Sequence, residues 1–251
     1  MTTTDQAVAL VGKSPLYAEL YELLNEKGYR VLSLGEALKT PEEVQLAVEV
    51  NSLDLKEKEE QLQALDRLLP PHVPIVTTSL AITATEAASW TLHPERICGF
   101  GTLAPLAERQ LIEIAPALQT EEATIRKTES FFQSLGKETE LVEDEVGLVF
   151  PRILTLIINE AAFALMEKAA TPHDIDVAMK KGTNYPYGPL EWADRIGLDE
   201  IYAISRGLHR DLAEERYRTA PLLRKLVLAK RYGVRSGQGF YSYEQKKGRE
   251  A

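Results

Sequence analysis

The sequence predicts an α/β domain built on a reduced, mostly parallel sheet, followed by an all-α domain. Three observations carry this. Short apolar or β-branched runs alternate with amphipathic stretches at helical spacing as far as Val142. From Gly147 the strand signal stops and apolar residues recur at helical spacing almost to the end. Glycines, prolines and capping residues punctuate both regimes. The expected division is a first domain over residues 1–145 and a second over 146–251.

Residues 7–11 (AVALV) read as a strand ending at Gly12, and Leu16, Leu20, Leu23 and Leu24 then recur at helical spacing up to Lys27. Gly28 follows as a C-cap, and residues 29–34 (YRVLSL) read as a second strand. Strand, helix and strand make a right-handed βαβ unit, the opening of a doubly wound, Rossmann-like sheet. Such a sheet takes a dinucleotide on a glycine-rich first turn, because the backbone must approach the pyrophosphate closely. Here the turn is GKSPLY. Gly12 keeps the first glycine position and is the candidate cofactor-binding residue; Ser14 and Tyr17 hold the other two, and Pro15 lacks an amide donor. A phenol at 17 should hold the helix away from the sheet. Glu36, just beyond the second strand, is the carboxylate nearest to where a ribose would be read. The expectation is a Rossmann-like half that no longer takes a nucleotide in the usual way.

Thr40, Pro41 and two acids give a helical turn before the apolar run 44–50. Residues 54–69 (DLKEKEEQLQALDRLL) form an amphipathic helix with Leu55, Leu62, Leu65 and Leu69 inward and the charge run on a solvated face. Pro70 and Pro71 end it. Strands at 74–78, 96–100, 111–115 and 139–142 alternate with helices at 83–90 and 121–135, the latter capped by Thr120 and ended by Gly136. Glu113 stands among apolar neighbours in LIEIA.

In the second half Pro151 is tolerable only in a first helical turn. The helix it opens carries Ile153, Leu156, Ile157, Ala161, Ala164 and Leu165, a stripe that must be buried. Thr171, Pro172 and Asp174 cap the next helix, which Gly182 ends. Pro186, Gly188 and Pro189 fix the turn NYPYGP; helices follow over 189–196, 199–215 and 221–231, and the aromatic tail SGQGFYSY needs a groove to lie in.

The chain has 251 residues, 44% of them hydrophobic, and a net charge of -9. That balance excludes a nucleic-acid partner, which needs clustered Lys and Arg. Arg224, Lys225, Lys230 and Arg231 read as a solvated helix face. No apolar run approaches the roughly 18 to 20 residues of a membrane span, and the MTTTDQ start lacks the features of a secretory leader. Cys98, the single cysteine, cannot pair within the chain. A cytoplasmic protein, without membrane contact and without a metal site, is expected.

Several segments together resemble the 3-hydroxyacyl-CoA dehydrogenase family, in its short-chain, 3-hydroxybutyryl-CoA type. They are NEAAFAL, DIDVAMKKGTNYPYGPLEWADRIGLD, PLLRKLV and SGQGFYSY, which cover the C-terminal domain. In the first half LDLKEKEEQLQALDRLLPP, TEAA, PERICGF, LIEIA and LGKETELVEDEVG follow collinearly. The resemblance implies NAD as cofactor, a His general base, a Glu that supports it, and a Ser and an Asn on the substrate oxygen. Carried over position by position, the His of GxHFFNP falls on Gly101 in GFGTLAP and the Glu on Glu113. The Ser falls on Leu80, or on Ser79 with a one-residue shift, and the Asn on Pro151 beside Arg152. Glu113 is thus the one catalytic position kept, able to act as a base itself only if burial raises its pKa. His72, His93, His173 and His209 read as surface residues. The resemblance also implies more sheet and a helical hairpin that takes part in coenzyme A binding, where this chain has only a short connection before residue 44.

A general base contributes on the order of a hundred- to ten-thousand-fold. The expectation is therefore that ordinary NAD-dependent oxidation of 3-hydroxyacyl-CoA is lost. The chain would then serve fatty-acid or butyryl-CoA metabolism as a ligand-binding or assembly subunit. It would be a homodimer through its helical domain, with an acyl-CoA or an active paralogue as partner. The alternative is an active NAD(P)-dependent 3-hydroxybutyryl-CoA dehydrogenase with a rearranged site.

Overall fold

The computed structural model describes residues 6–243, so all but Gln6 of the MTTTDQ start lies outside the described residues. Two compact units divide the chain, residues 1–152 and 153–251. The first runs β1 (Ala7–Val11), α1 (Pro15–Glu26), β2 (Arg30–Leu32), α2 (Leu34–Ala37), β3 (Val44–Glu49) and α3 (Leu55–Leu68). It continues through β4 (Ile75–Thr78), α4 (Ala84–Ser89), β5 (Ile97–Gly101), β6 (Leu111–Pro116), α5 (Glu122–Ser134) and β7 (Glu138–Leu141). These strands form one sheet in the order β2-β1-β3-β4-β5-β6-β7, parallel throughout except between β5 and β6.

Side chains alternate between the faces of a strand, and both faces here are covered, which is why β1 is apolar at every position. Val8, Leu10, Val48, Val76 and Phe100 pack with Leu16, Leu20 and Leu24 of α1 and with Phe131 and Phe132 of α5. Ala7, Ala9, Ala47, Ile75 and Ile97 face the other way, against Leu62 and Leu65 of α3 and Ala84, Ala87 and Ala88 of α4. Truncating a leucine as buried as Leu62 costs about 2–5 kcal/mol.

Several expectations need correction. The second strand stops at Leu32 because Ser33 and Glu36 form a capping box that starts α2: the Ser33 amide and hydroxyl donate to the Glu36 carboxylate at 2.8 and 2.6 Å. Tyr17 does not hold α1 off the sheet; its ring packs against the same apolar cluster as Leu16 and Leu20. Thr120 does not cap α5, because its hydroxyl donates to the Ile97 carbonyl at 2.6 Å. The charge run of α3 is not wholly solvated. Lys58 is buried against Glu49, and Asp66 is buried under Arg96 and accepts from the Leu92 amide.

The second unit contains α7 and its successors, entered through α6 (Phe150–Met166), followed by α7 (Pro172–Thr183), α8 (Pro189–Ile196), α9 (Leu198–Leu212) and α10 (Pro221–Leu228). Gly182 lies inside α7; Asn184, in the left-handed region at φ 58°, ends it. Asp176 accepts from the Leu190 and Glu191 amides at 2.8 and 2.9 Å, capping α8 after the NYPYGP turn. Gly188 is required there, since a Cβ would fall on the Asp176 side chain. The tail finds its groove through two carboxylates. Asp194 accepts from the amides of Phe240 and Tyr241, both at 2.9 Å, and from the Tyr243 hydroxyl, while the Tyr241 hydroxyl donates to Asp176. No helix among the described residues is long and apolar enough to cross a membrane.

Candidate active site

The chain steps outward from β1 to β2 and then returns to place β3 on the other side of β1. Ligands of open α/β sheets bind at such a switch point, beyond the carboxyl ends of the strands. Gly12 leaves β1 there with φ 112°, and a Cβ on it would stand 2.9 Å from the Asn51 amide nitrogen, so only glycine fits. The rest of the turn is occupied by the protein itself. The Lys13 amide donates to Asn51 Oδ1 at 2.7 Å, and the Leu16 and Tyr17 amides donate to Ser14 Oγ and O, each at 3.1 Å. Pro15 supplies no donor. The Glu36 carboxylate is engaged by the Ser33 hydroxyl and amide, which hold it below the ordinary range. The Lys13 and Leu16 amides at this turn and the Glu36 carboxylate beyond β2 are thus all engaged within the chain.

The second part of the site lies where β5 and β6 pair. Gly101 and Glu113 are partners across the two strands, so a side chain at 101 would begin beside the Glu113 backbone. That space is taken: a Cβ at 101 would meet Leu148 Cδ1 at 2.5 Å. Leu148 is buried and sits at φ 52°, directly after Gly147 at φ 75°. Glu113 is buried as well, and both its oxygens are engaged, accepting from the amides of Val149 and Phe150 at 2.8 Å each. Those amides belong to the unsatisfied first turn of α6, where a carboxylate is favoured. Glu113 therefore caps the helix that enters the second unit.

A cleft of about 550 Å³ opens here, lined by Gly101, Thr102, Arg109, Glu113, Phe150 and Pro151. The Arg109 guanidinium stacks over the Phe150 ring at 5.3 Å. A larger hollow, about 880 Å³, lies at the amino ends of β1, β3 and β4, away from these groups. Ser79 follows β4 with its hydroxyl buried against Gly99 and without a hydrogen-bond partner, and Leu80 is buried beside it. Pro151 is the second residue of α6 and has no donor to offer a substrate. His72, His173 and His209 are exposed, and His93 binds Asp66. None of them stands at Gly101. Cys98 is buried, and its thiol is pushed up to about 12 by burial.

Two residues here are not legible in the sequence as site residues. Asn51 looks like an ordinary strand-end polar residue, and only the pairing of β3 with β1 brings it to the turn. Leu148 looks like core; the signal that could have found it is the preceding Gly147, which marks a left-handed turn aimed back at β5.

The chain matches two family profiles: the 3-hydroxyacyl-CoA dehydrogenase NAD binding domain over residues 19–145, and the 3-hydroxyacyl-CoA dehydrogenase C-terminal domain over residues 147–243. The first match begins beyond the Gly12–Tyr17 turn. A probable 3-hydroxybutyryl-CoA dehydrogenase of Bacillus subtilis is 37% identical over 215 residues, 86% of this chain and 75% of that protein. The 3-hydroxybutyryl-CoA dehydrogenase of Bradyrhizobium diazoefficiens is 38% identical over 70% of this chain and 60% of its own length. The crystal structure of the (S)-3-hydroxybutyryl-CoA dehydrogenase PaaH1 from Ralstonia eutropha superposes with a TM-score of 0.74 at 26% identity, over 96% of this chain and 99% of that one. Matched in sequence through both halves and in fold through nearly the whole chain, it belongs to the 3-hydroxyacyl-CoA dehydrogenase family.

Proposed function

We propose that this chain takes a short-chain 3-hydroxyacyl-CoA, or the matching 3-oxoacyl-CoA, and has lost ordinary NAD-dependent turnover, serving as a ligand-binding or assembly subunit. One observation carries the reading. The two positions that the resemblance assigns to base and supporting acid face each other across β5 and β6, but position 101 has no side chain and Glu113 is spent on the Val149 and Phe150 amides. Without a proton-transfer group at 101, turnover falls by on the order of a hundred- to ten-thousand-fold.

A second reading is an active NAD(P)-dependent 3-hydroxybutyryl-CoA dehydrogenase with a rearranged site. The comparisons back it better than the first, because the relatives named above are dehydrogenases and nothing in them speaks of lost activity. The first reading rests on the site geometry alone. The test is NADH oxidation with acetoacetyl-CoA, run beside the Bacillus subtilis relative. A rate at least about a hundredfold below the relative supports the first reading, and an equal rate overturns it. Calorimetric binding of acetoacetyl-CoA without cofactor is expected; its absence removes the ligand-binding role.

A further inference from the structure

Asn51 stands at the switch point between β1 and β3 and is held by every polar group it owns. Its amide donates to Glu49 Oε1 at 2.6 Å, and its carbonyl accepts from Lys58 Nζ at 3.0 Å and Thr78 Oγ1 at 3.2 Å. Its side chain donates through Nδ2 to Gln61 Oε1 at 2.9 Å and accepts through Oδ1 from the Lys13 amide at 2.7 Å. Glu49 and Lys58 are a buried ion pair, with the Thr77 hydroxyl donating to Glu49 at 2.7 Å. Breaking one partner out of such a pair is expensive, so the backbone of Asn51 has little freedom. The carboxamide is thereby aimed at the turn that would receive a pyrophosphate. Ser14 takes the Leu16 amide from the other side, and Lys13 Nζ closes the outer edge on Glu57 at 2.9 Å.

We infer that Asn51 is a latch that holds the turn of residues 12–15 shut against the pyrophosphate of a dinucleotide, set in place by the buried Glu49–Lys58 pair. The inference deepens the proposed loss of turnover and rests on it. A dinucleotide at this turn must displace Asn51 Oδ1 from the Lys13 amide and Ser14 Oγ from the Leu16 amide. The displaced Asn51 acceptor is buried and then needs a new partner, since an unmet buried acceptor is costly. Asn51 acts by position and touches no reacting atom.

The full chain is titrated with NADH by fluorescence, with a thermal melt of each variant to show that it is folded. Wild type should show no saturable binding. The double variant Ser14→Gly, Asn51→Ala should gain at least about tenfold in affinity, about 1.4 kcal/mol. Asn51→Asp keeps an acceptor for the Lys13 amide and should stay closed. Amide exchange gives a second readout: the Lys13 amide should be protected in wild type and Asn51→Asp and exchange fast in Asn51→Ala, which serves if the double variant does not fold. Saturable NADH binding by wild type, at the affinity of the Bacillus subtilis relative, overturns the latch. So does a folded double variant without gain, or a folded Asn51→Ala whose Lys13 amide stays protected. Acetoacetyl-CoA binding reports separately on the ligand reading, so a failed latch and a failed ligand role are told apart.

Discussion

Position 101 has no room for a side chain, because Leu148 fills the space a Cβ would take and both Glu113 oxygens are engaged by the Val149 and Phe150 amides. A histidine introduced alone at 101 should therefore fail to yield a working base. Gly101→His is expected to cost about 1–3 kcal/mol through overpacking, read as a lower urea midpoint, and adding Leu148→Ala should recover about 1 kcal/mol of it as a coupling in a double-mutant cycle. If the two changes add independently, Leu148 is not what fills the site. Glu113→Ala should cost about 1–3 kcal/mol, since it strands two amides at the start of α6, and Glu113→Gln should cost less, because it keeps one acceptor. Asp66 sets a pH limit. Burial pushes its carboxyl upward, but the Leu92 amide and the Arg96 guanidinium outweigh this and hold it below its ordinary value. A lowered folded-state pKa contributes stability above the unfolded value of about 4 and loses it as pH falls through the folded value. Asp66→Asn should flatten the acid limb of the stability profile while lowering stability at neutral pH, because Arg96 is left buried without its counter-charge.

At the scale of elements, the strands and helices were legible because apolar period and caps speak locally. β1, α1, β3, α4 and β6 lie where the pattern places them. What was not legible came from partners distant in sequence. Thr120 looks like a helix cap until the Ile97 carbonyl arrives beside it, and Lys58 and Asp66 look solvated until Glu49 and Arg96 fold over them. The same holds for the site: the resemblance points to Gly101 and Glu113 in the sequence, whereas only strand pairing and a left-handed turn bring in Asn51 and Leu148. The tail shows an element made wholly of such long-range bonds. Tyr241 and Tyr243 are raised above the ordinary phenol range, first by burial and then by Asp176 and Asp194 respectively. A raised folded-state pKa contributes stability that is full below the unfolded value of about 10 and is lost as pH rises through the folded value. Of the ten tyrosines, these two should ionise late in an absorbance titration and together with loss of helical circular dichroism. Ionisation with the other tyrosines, before any loss of helix, would show that the clasp is not closed.

For the whole molecule, assembly turns on what covers α6. Of the stripe the sequence expects to be buried, Ile153, Leu156, Ile157, Ala161, Ala164 and Leu165, only Ala161 is; the buried face is instead Leu154, Ile158 and Ala162, and Ile153 and Met166 are 55% and 40% exposed in the single chain. Exposed large apolar side chains on an otherwise apolar helix are a feature of surfaces that pair. We propose a homodimer through the helical unit, as the resemblance implies. Each chain is 28.0 kDa, so native mass spectrometry and light scattering should report twice that mass at micromolar concentration. Ile153→Asp places a charge on the stripe without disturbing the buried side of the helix, and it should shift the equilibrium toward monomer by at least about tenfold, since an unpaired charge in an apolar interface costs more than 1.4 kcal/mol. The cleft lined by Gly101, Arg109, Glu113 and Phe150 lies in the first unit, so acetoacetyl-CoA binding should survive in the monomeric variant. A wild-type chain that stays monomeric at all accessible concentrations would remove the assembly role and leave α6 exposed for a different partner, which mixing with an active family member would then reveal as a mixed dimer.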